Sequence, residues 1–331
     1  MTATMMKNVL ITGGAGYVGH VLVPRLLGKG YTVTVYDTLY FGCRLPNHPR
    51  LFVIKGDIRD TEALARHMKY KYAVIHLACI SNDASVELDE RLSQTTNYDC
   101  FLPMVLAAKA AGVERFILAS SGSVYGVSSS PNVTEDHPLV PVSLYNKFKG
   151  MCEPLLLEQR DDDFTCTILR PATICGYSPR TRFDLSVNLL TNQAVNTGRI
   201  TVFGGAQTRP NLHIEDMVDA YLLMLEAPHD RVQGEIFNVG FENRSISEIA
   251  DIVNDLVGGG KLNVVTTPSD DPRSYRLNSD KITRVLGFRP KRGIEEGVRD
   301  LLRAFDNHLL PDSIADDWYY NVRTMKKLGA R

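Results

Sequence analysis

The chain has 331 residues, 44% of them hydrophobic and 23% charged, the composition of a globular protein of about two domain-sized units that can build a core without metals or disulfides. Its 37 Lys and Arg residues balance 38 Asp and Glu residues for a net charge of -1, without the basic excess that a phosphate backbone demands, so nucleic acid is not an expected ligand. The six cysteines form no CxxC pair and the apolar runs are too short for a signal peptide or a membrane span, so the expectation is a cytoplasmic protein in a reducing compartment, with no membrane attachment.

In chain order, Lys7 to Thr12 (KNVLIT) predicts a strand running into a glycine cluster, and Tyr17 to Leu27 carries helical periodicity before Gly28 and Gly30. Thr32 to Tyr36 predicts a second strand ending on Asp37. Similar short runs recur at Leu51 to Lys55, Ala73 to Leu77, Arg115 to Ala119 and Thr165 to Leu169, with helical stretches between most of them. This alternation predicts an α/β fold, a Rossmann-type doubly wound parallel sheet over residues 1–170. From Pro171 the pattern loosens, with a helix from about Glu215 to Glu226, a strand at Glu235 to Val239 and a helix from Ser247 to Val257. Residues 171–331 therefore read mainly as a second, smaller lobe, with the chain recrossing to the main sheet at about 213–240. Beyond about residue 305 no pattern assigns a structure or a role.

Gly13, Gly16 and Gly19 lie between the first strand and its helix. Alone they could be a plain βα turn. In this setting they let backbone approach a pyrophosphate at a helix N-terminus, whose N–H groups and dipole favour an anion. A carboxylate at Asp37 accepts hydrogen bonds from ribose hydroxyls and repels a 2′-phosphate, and no Arg or Lys lies between 38 and 43; NAD is expected over NADP. Asp57 is either an adenine contact or a helix cap. Tyr145 and Lys149 share one helix face, where an ammonium beside the phenol would lower a pKa that starts near ~10. Ser120 and Ser121 end the strand Arg115 to Ala119, where a hydroxyl could hold a substrate hydroxyl for the phenolate.

Taken together, TGGAGYVG (12 to 19), Asp37, GDIRD (56 to 60), VIHLA (74 to 78), Asn97, SSGSVYG (120 to 126), YNKFK (145 to 149), RPATICG (170 to 176), RPNLHIED (209 to 216), FNVG (237 to 240) and DPRSYR (271 to 276) resemble the blocks of the extended short-chain dehydrogenase/reductase family. The resemblance is to its nucleotide-sugar epimerases and dehydratases and spans about residues 7 to 305. It implies bound NAD on Gly13, Gly16, Tyr17, Val18, Asp37 and Asp57, with Ile58, Leu77, Ala78, Asn97, Tyr145 and Lys149 completing the site. It also implies Tyr145 as acid/base, Lys149 on the nicotinamide ribose and Ser121 on the reacting hydroxyl. The implied substrate is a UDP-, GDP- or dTDP-sugar, with Arg209, Arg273 and Asn188 on its diphosphate, and Asp83 and Ser123 near the sugar. Either arginine could instead be a surface charge, and Ser81, Asn82 and Asp83 could be only a turn. His213 is expected to brace its loop. Members of this family often form homodimers through the helices holding residues 97–111 and 144–160.

Departures from the family pattern narrow the reaction. Sugar 4,6-dehydratases follow the Ser or Thr with an Asp and a Glu; here those positions are Gly122 and Ser123, neither of which titrates near neutral pH, leaving Asp83 and Glu135 as loop candidates for an elimination. Cys175 could be a proton-moving thiol or a buried small residue. The stretch ICGYSPRTRFDLSVN (174 to 188) is similar to enzymes that oxidise C4 of GDP-heptose sugars. The reading is an NAD-dependent nucleotide-sugar epimerase acting through oxidation at C4. The alternatives are a C4 dehydrogenase or ketoreductase on a GDP-sugar, a dehydratase, and a noncatalytic NAD-binding regulator, against which intact Ser121, Tyr145 and Lys149 argue.

Overall fold

The structure is a computed structural model that describes residues 7–269, 271 and 273–329. Its first half alternates β1 (Asn8–Thr12), α1 (Gly19–Gly28), β2 (Thr32–Asp37), β3 (Leu51–Lys55), α2 (Thr61–Met68) and β4 (Ala73–His76). Two short helices, α3 (Asp83–Val86) and α4 (Glu90–Gln94), lead to α5 (Phe101–Ala110), β5 (Arg115–Ala119), α6 (Leu144–Leu157) and β6 (Thr165–Pro171). There follow β7 (Thr173–Cys175), α7 (Ser186–Thr197), β8 (Arg199–Phe203), β9 (Thr208–His213), α8 (Ile214–Glu226), α9 (His229–Val232) and β10 (Ile236–Val239). The remainder comprises β11 (Glu242–Ser245), α10 (Ile246–Gly258), β12 (Asn263–Thr267), α11 (Asp280–Leu286), α12 (Ile294–Asp306) and α13 (Asn321–Leu328).

Seven parallel strands form the main sheet in the order β10-β6-β5-β4-β1-β2-β3. Val9, Leu10 and Ile11 in β1 and Val74 and Ile75 in β4 are fully buried, as strands covered by helices on both faces must be. The strand order reverses between β1 and β4, which opens a crevice at the carboxyl ends where ligands of such sheets bind. β10 completes the sheet beside β6, in register from Ile236 opposite Ile168 to Val239 opposite Pro171. That pairing carries β6 to Pro171, two residues past the expected end at Leu169. α1 begins at Gly19 rather than Tyr17, because residues 13–18 are used in the turn. A buried ion pair between Glu153 and Arg170, 2.6 Å long with side chains 3% and 4% exposed, joins α6 to β6.

Past β6, β7, β9 and β11 form a three-stranded sheet and β8 pairs with β12. α7, α10 and α12 pack over this region around Val187, Leu190, Ile249 and Val298. The last residues, where no structure was expected, return to the main crevice. Asp316 caps a single 3-10 turn at Asp317–Tyr319 by accepting from Trp318 N at 2.9 Å. α13 follows, ending at Gly329 with a left-handed φ of 67°. Tyr319 and Tyr320 pack with Phe183, Leu301 and Leu310, while Met325 packs with Ile80, Val86 and Phe148. No helix among the described residues is long and apolar enough to cross a membrane, and all six cysteines are free.

Candidate active site

A cavity of about 360 Å³ opens along the carboxyl ends of the strands. Its floor begins at the glycine turn. Gly13 has φ +72°, and a Cβ there would lie 2.5 Å from Ala78 N; at Gly19 a Cβ would lie 2.1 Å from Gly14 O. Only glycine allows the turn this close to the strand ends. Gly13, Gly16, Tyr17 and Val18 all line the cavity, as do Leu77 and Ala78 from the end of β4. The Asp37 carboxylate is held by Ala15 N at 3.0 Å and Leu39 N at 2.8 Å. Burial raises its pKa and those two N–H groups oppose the rise. A narrow glycine-lined turn offering N–H groups beside a fixed, half-buried carboxylate that can accept ribose hydroxyls suits a dinucleotide.

Asp57 and Ile58 line the same cavity, but the Asp57 carboxylate is already clasped by Arg59 at 2.6 Å. Burial alone would raise its pKa; the Arg59 hydrogen bonds prevail and lower it. The cap of α2 is Asp60, which accepts from Ala63 N at 2.9 Å. Asn97 lies off the cavity. Its amide accepts from Ile80 N at 2.8 Å and donates to Ile80 O at 3.0 Å, so it fixes the backbone of a cavity residue from behind.

Ser121, Ser123, Tyr145 and Lys149 meet on one wall. Ser143 caps α6, which sets Tyr145 and Lys149 one turn apart on the face turned to the end of β5. Ser120 donates to Glu153 at 2.5 Å, Ser123 donates to Asn146 at 2.5 Å, and Lys149 donates to Ala119 O at 2.7 Å. Three bonds thus fasten the β5 end to α6. Ser123 Oγ also lies 2.7 Å from Ser121 Oγ. The lowering of the Tyr145 pKa expected from Lys149 does not occur here. Burial pushes the phenol above its ordinary value, Cys79 and Asp83 add to the rise, and Arg182 and the Ser121 hydroxyl pull it down. The Lys149 ammonium is instead engaged by the Ala119 carbonyl.

Asp83 and Arg273 also line the cavity and are paired with each other; Ser143 also donates to Asp83. Arg273 bonds Asp271 as well, at 2.8 and 2.6 Å. Burial opposes ionisation of Asp271, yet Arg273 and Arg209 hold its pKa at about 2. Arg209 does not reach the cavity as expected. It bonds Asp271 at 2.8 Å and the carbonyls of Thr208 and Arg273, buttressing the loop that presents Arg273. Asn188 is likewise turned away. Fully buried, it accepts from Gly176 N at 3.0 Å and donates to Tyr17 Oη at 3.1 Å and Arg182 O at 3.0 Å. Of the two candidate elimination carboxylates, Glu135 lies off the cavity and accepts from Asn238 N at 2.8 Å. Cys175 is buried in the core formed with α7, α10 and α12, and burial raises its pKa. His213 joins Asp300 at 2.9 Å and accepts from Glu215 N at 3.2 Å at the start of α8.

Among the cavity residues to which the sequence assigned no site role are Arg180, Arg182, Asn321 and Met325. Arg182 pairs with Asp184 at 2.9 Å, and Asn82 donates to Asp184 at 2.8 Å. The two arginines stand in a stretch whose family likeness was legible, but nothing local announces that they turn inward.

The profile of the NAD dependent epimerase/dehydratase family matches residues 9–240. A UDP-glucose 4-epimerase of Mycolicibacterium smegmatis is 32% identical over 313 residues, 91% of this chain and 99% of that protein. Among solved structures, a UDP-glucose 4-epimerase of Thermotoga maritima with UDP-glucose is 27% identical with a TM-score of 0.82, covering 91% of this chain and 99% of that one. The dTDP-glucose 4,6-dehydratase DesIV of Streptomyces venezuelae, with NAD and TYD bound, is also 27% identical, with a TM-score of 0.81 and coverage of 91% and 98%.

Proposed function

The chain belongs to the NAD dependent epimerase/dehydratase family, and from that premise we propose that it is an NAD-dependent nucleotide-sugar 4-epimerase. One observation carries the reading: Ser121, Tyr145 and Lys149 line the same cavity as the glycine turn and Asp37, while Gly122 and Ser123 leave the elimination step without its acid and base.

NAD, when bound, supplies a hydride acceptor that can return the hydride. The residues provide the rest. Gly13, Gly16, Tyr17 and Val18 would receive the dinucleotide, and Asp37 its adenine-side ribose. Ser121 Oγ, steadied by Ser123 and Asn146, orients the C4 hydroxyl toward Tyr145. Tyr145 Oη takes that proton as C4 is oxidised and gives it back when C4 is reduced. Burial raises the Tyr145 pKa and Arg182 and Ser121 oppose the rise; Tyr145 must give up its own proton to solvent before it takes the C4 proton, and Arg182 and Ser121 are the groups that favour that loss. Arg273 is the cation placed for the sugar-nucleotide diphosphate, once that anion replaces Asp83 as its partner.

A C4 dehydrogenase acting on a GDP-sugar is the second reading, favoured by the likeness of residues 174–188 to enzymes that oxidise C4 of GDP-heptose sugars. Six free cysteines support a reducing, cytoplasmic setting, and the half-exposed Leu106 on α5 suits a homodimer through α5 and α6. The experiment is to strip the protein of nucleotide, add NAD, and offer UDP-, GDP- and dTDP-sugars in turn. Conversion of one of them to its C4 epimer supports the proposal, and absence of turnover with all three classes contradicts it.

A further inference from the structure

We propose that Arg180 is a ligand of the cofactor's diphosphate and that the C-terminal segment, through Asn321 and Trp318, holds it in place. This rests on the reading of the cavity as an NAD site. Arg180 is 1% exposed and lines the cavity, yet its Nε has no hydrogen-bond partner. Nη2 donates to Asn321 at 2.6 Å and Nη1 makes one long contact, 3.5 Å, to Thr181 O. The guanidinium carbon sits 4.2 Å from the ring centre of Phe41 and 5.6 Å from that of Trp318.

Charge balance sets it apart. Arg170, Arg182, Arg209 and Arg273 are each paired with an acid. Among the described residues Arg180 has no carboxylate within ion-pair distance. Asp37 and Asp184 are near enough to act on its charge, but Asp37 is taken by two backbone N–H groups and Asp184 by Arg182 and Asn82. A buried cation without a counter-ion is costly. Burial lowers the Arg180 pKa to about 9. An anionic ligand would remove that cost.

The position selects the anion. The loop carrying Arg180 stands directly on the glycine turn: Tyr17 Oη donates to Gly176 O at 2.6 Å, Ser178 Oγ donates to Tyr17 O at 2.8 Å, and Arg180 N donates to Ser178 Oγ at 3.3 Å. The Arg180 charge acts on His20, the second residue of α1, so the guanidinium lies beside the start of that helix, where the diphosphate of a dinucleotide belongs. Asn321 also donates to Ser81 Oγ at 2.8 Å, and Trp318 Nε1 donates to Phe41 O. Residues 318–321 thus tie the Arg180 loop to the ends of β2 and β4.

Calorimetric titration of stripped protein with NAD and ADP, ligand-observed NMR with adenosine, and thermal melting of the ligand-free form test this. Arg180→Met should weaken NAD and ADP by about tenfold or more, leave adenosine unchanged, and melt no lower than wild type without ligand, since an uncompensated charge has gone. Asn321→Ala keeps the cation but frees it, and should weaken NAD and ADP a few-fold without affecting adenosine. Unchanged NAD affinity in both variants would overturn the proposal. So would equal losses for adenosine and ADP, or loss confined to NADP, which would place Arg180 at the 2′-phosphate. Should Arg180→Met not fold, Asn321→Ala and Arg180→Lys decide by the same comparison. Wild-type protein that binds no NAD would instead sink the reading of the cavity itself.

Discussion

The floor and the roof of the cavity are built differently. In the floor, Ala15 meets Asp37 across 22 residues and Ser123 meets Asn146 across 23, so one βαβ or βα unit sets each contact. In the roof, Arg180 meets Asn321 across 141 residues, Ser81 meets Asn321 across 240, and Phe41 meets Trp318 across 277. The floor is fixed as soon as the sheet forms; the roof exists only when the chain's end docks. It follows that substitutions in the floor should disturb chemistry or the fold, whereas those in the roof should disturb retention of ligand.

The sharpest way to break this contrast is at the foundation of the floor. Removing Glu153 leaves Arg170 buried without its partner, and Glu153→Ala should cost about 3–5 kcal/mol of stability in chemical denaturation. A loss below about 1 kcal/mol would mean that the pair does not hold α6 to the sheet. Next in size is Tyr145→Phe, expected to lower turnover by about a hundredfold or more, near 2.7 kcal/mol of barrier, while NAD titration stays as in wild type. Near-normal turnover would remove Tyr145 from the mechanism.

A third test uses pH. His76, fully buried in the floor with Nδ1 2.7 Å from Thr12 Oγ1, has its pKa pushed down to about 3 by burial and then by the Lys149 charge. The unfolded chain takes up this proton near ~6.5, the folded chain only near 3. Its contribution to stability is therefore fully present above about pH 6.5 and is lost as the pH falls toward 3. Unfolding free energies from urea titrations at pH 7 and pH 5 should differ by about 2 kcal/mol from this group, and His76→Gln should flatten the difference; an unaltered pH dependence would contradict the assignment. The smallest effect belongs to the roof: Asn321→Ala should cost only about 1 kcal/mol in ligand-free stability. A loss as large as that at Glu153 would erase the distinction between the two regions.

The same contrast explains what could be read without coordinates. β1, β2 and β5 were legible because their apolar runs are buried, and β3 because its run is apolar although the strand is half-exposed at the sheet edge; the glycine turn, Asp37 and the Ser121, Tyr145, Lys149 set were legible because short spacings encode them locally. Arg209, Asn188 and Asn97 stand in the expected blocks but do not line the cavity: a motif names a loop, not the way its side chain turns, and each of the three is engaged by backbone or by a neighbouring side chain. Arg180, Asn321 and Met325 were illegible because they meet through tertiary docking. The segment after residue 305 mixes polar residues with scattered aromatics, and no local period reveals that Tyr319, Tyr320 and Met325 are buried.

The central claim is that C4 is oxidised and reduced again on one enzyme, with no net change in the cofactor. Product mass and the absorbance of bound NADH, followed together over many turnovers with the sugar nucleotide that the enzyme accepts and no added NAD beyond the bound cofactor, test it most directly. A product of unchanged mass and no accumulating NADH are expected. A product lighter by two hydrogens, formed once per site with a matching rise in NADH, would contradict it in favour of a dehydrogenase, and one lighter by a molecule of water would show that an acid and base outside Gly122 and Ser123 carry out an elimination.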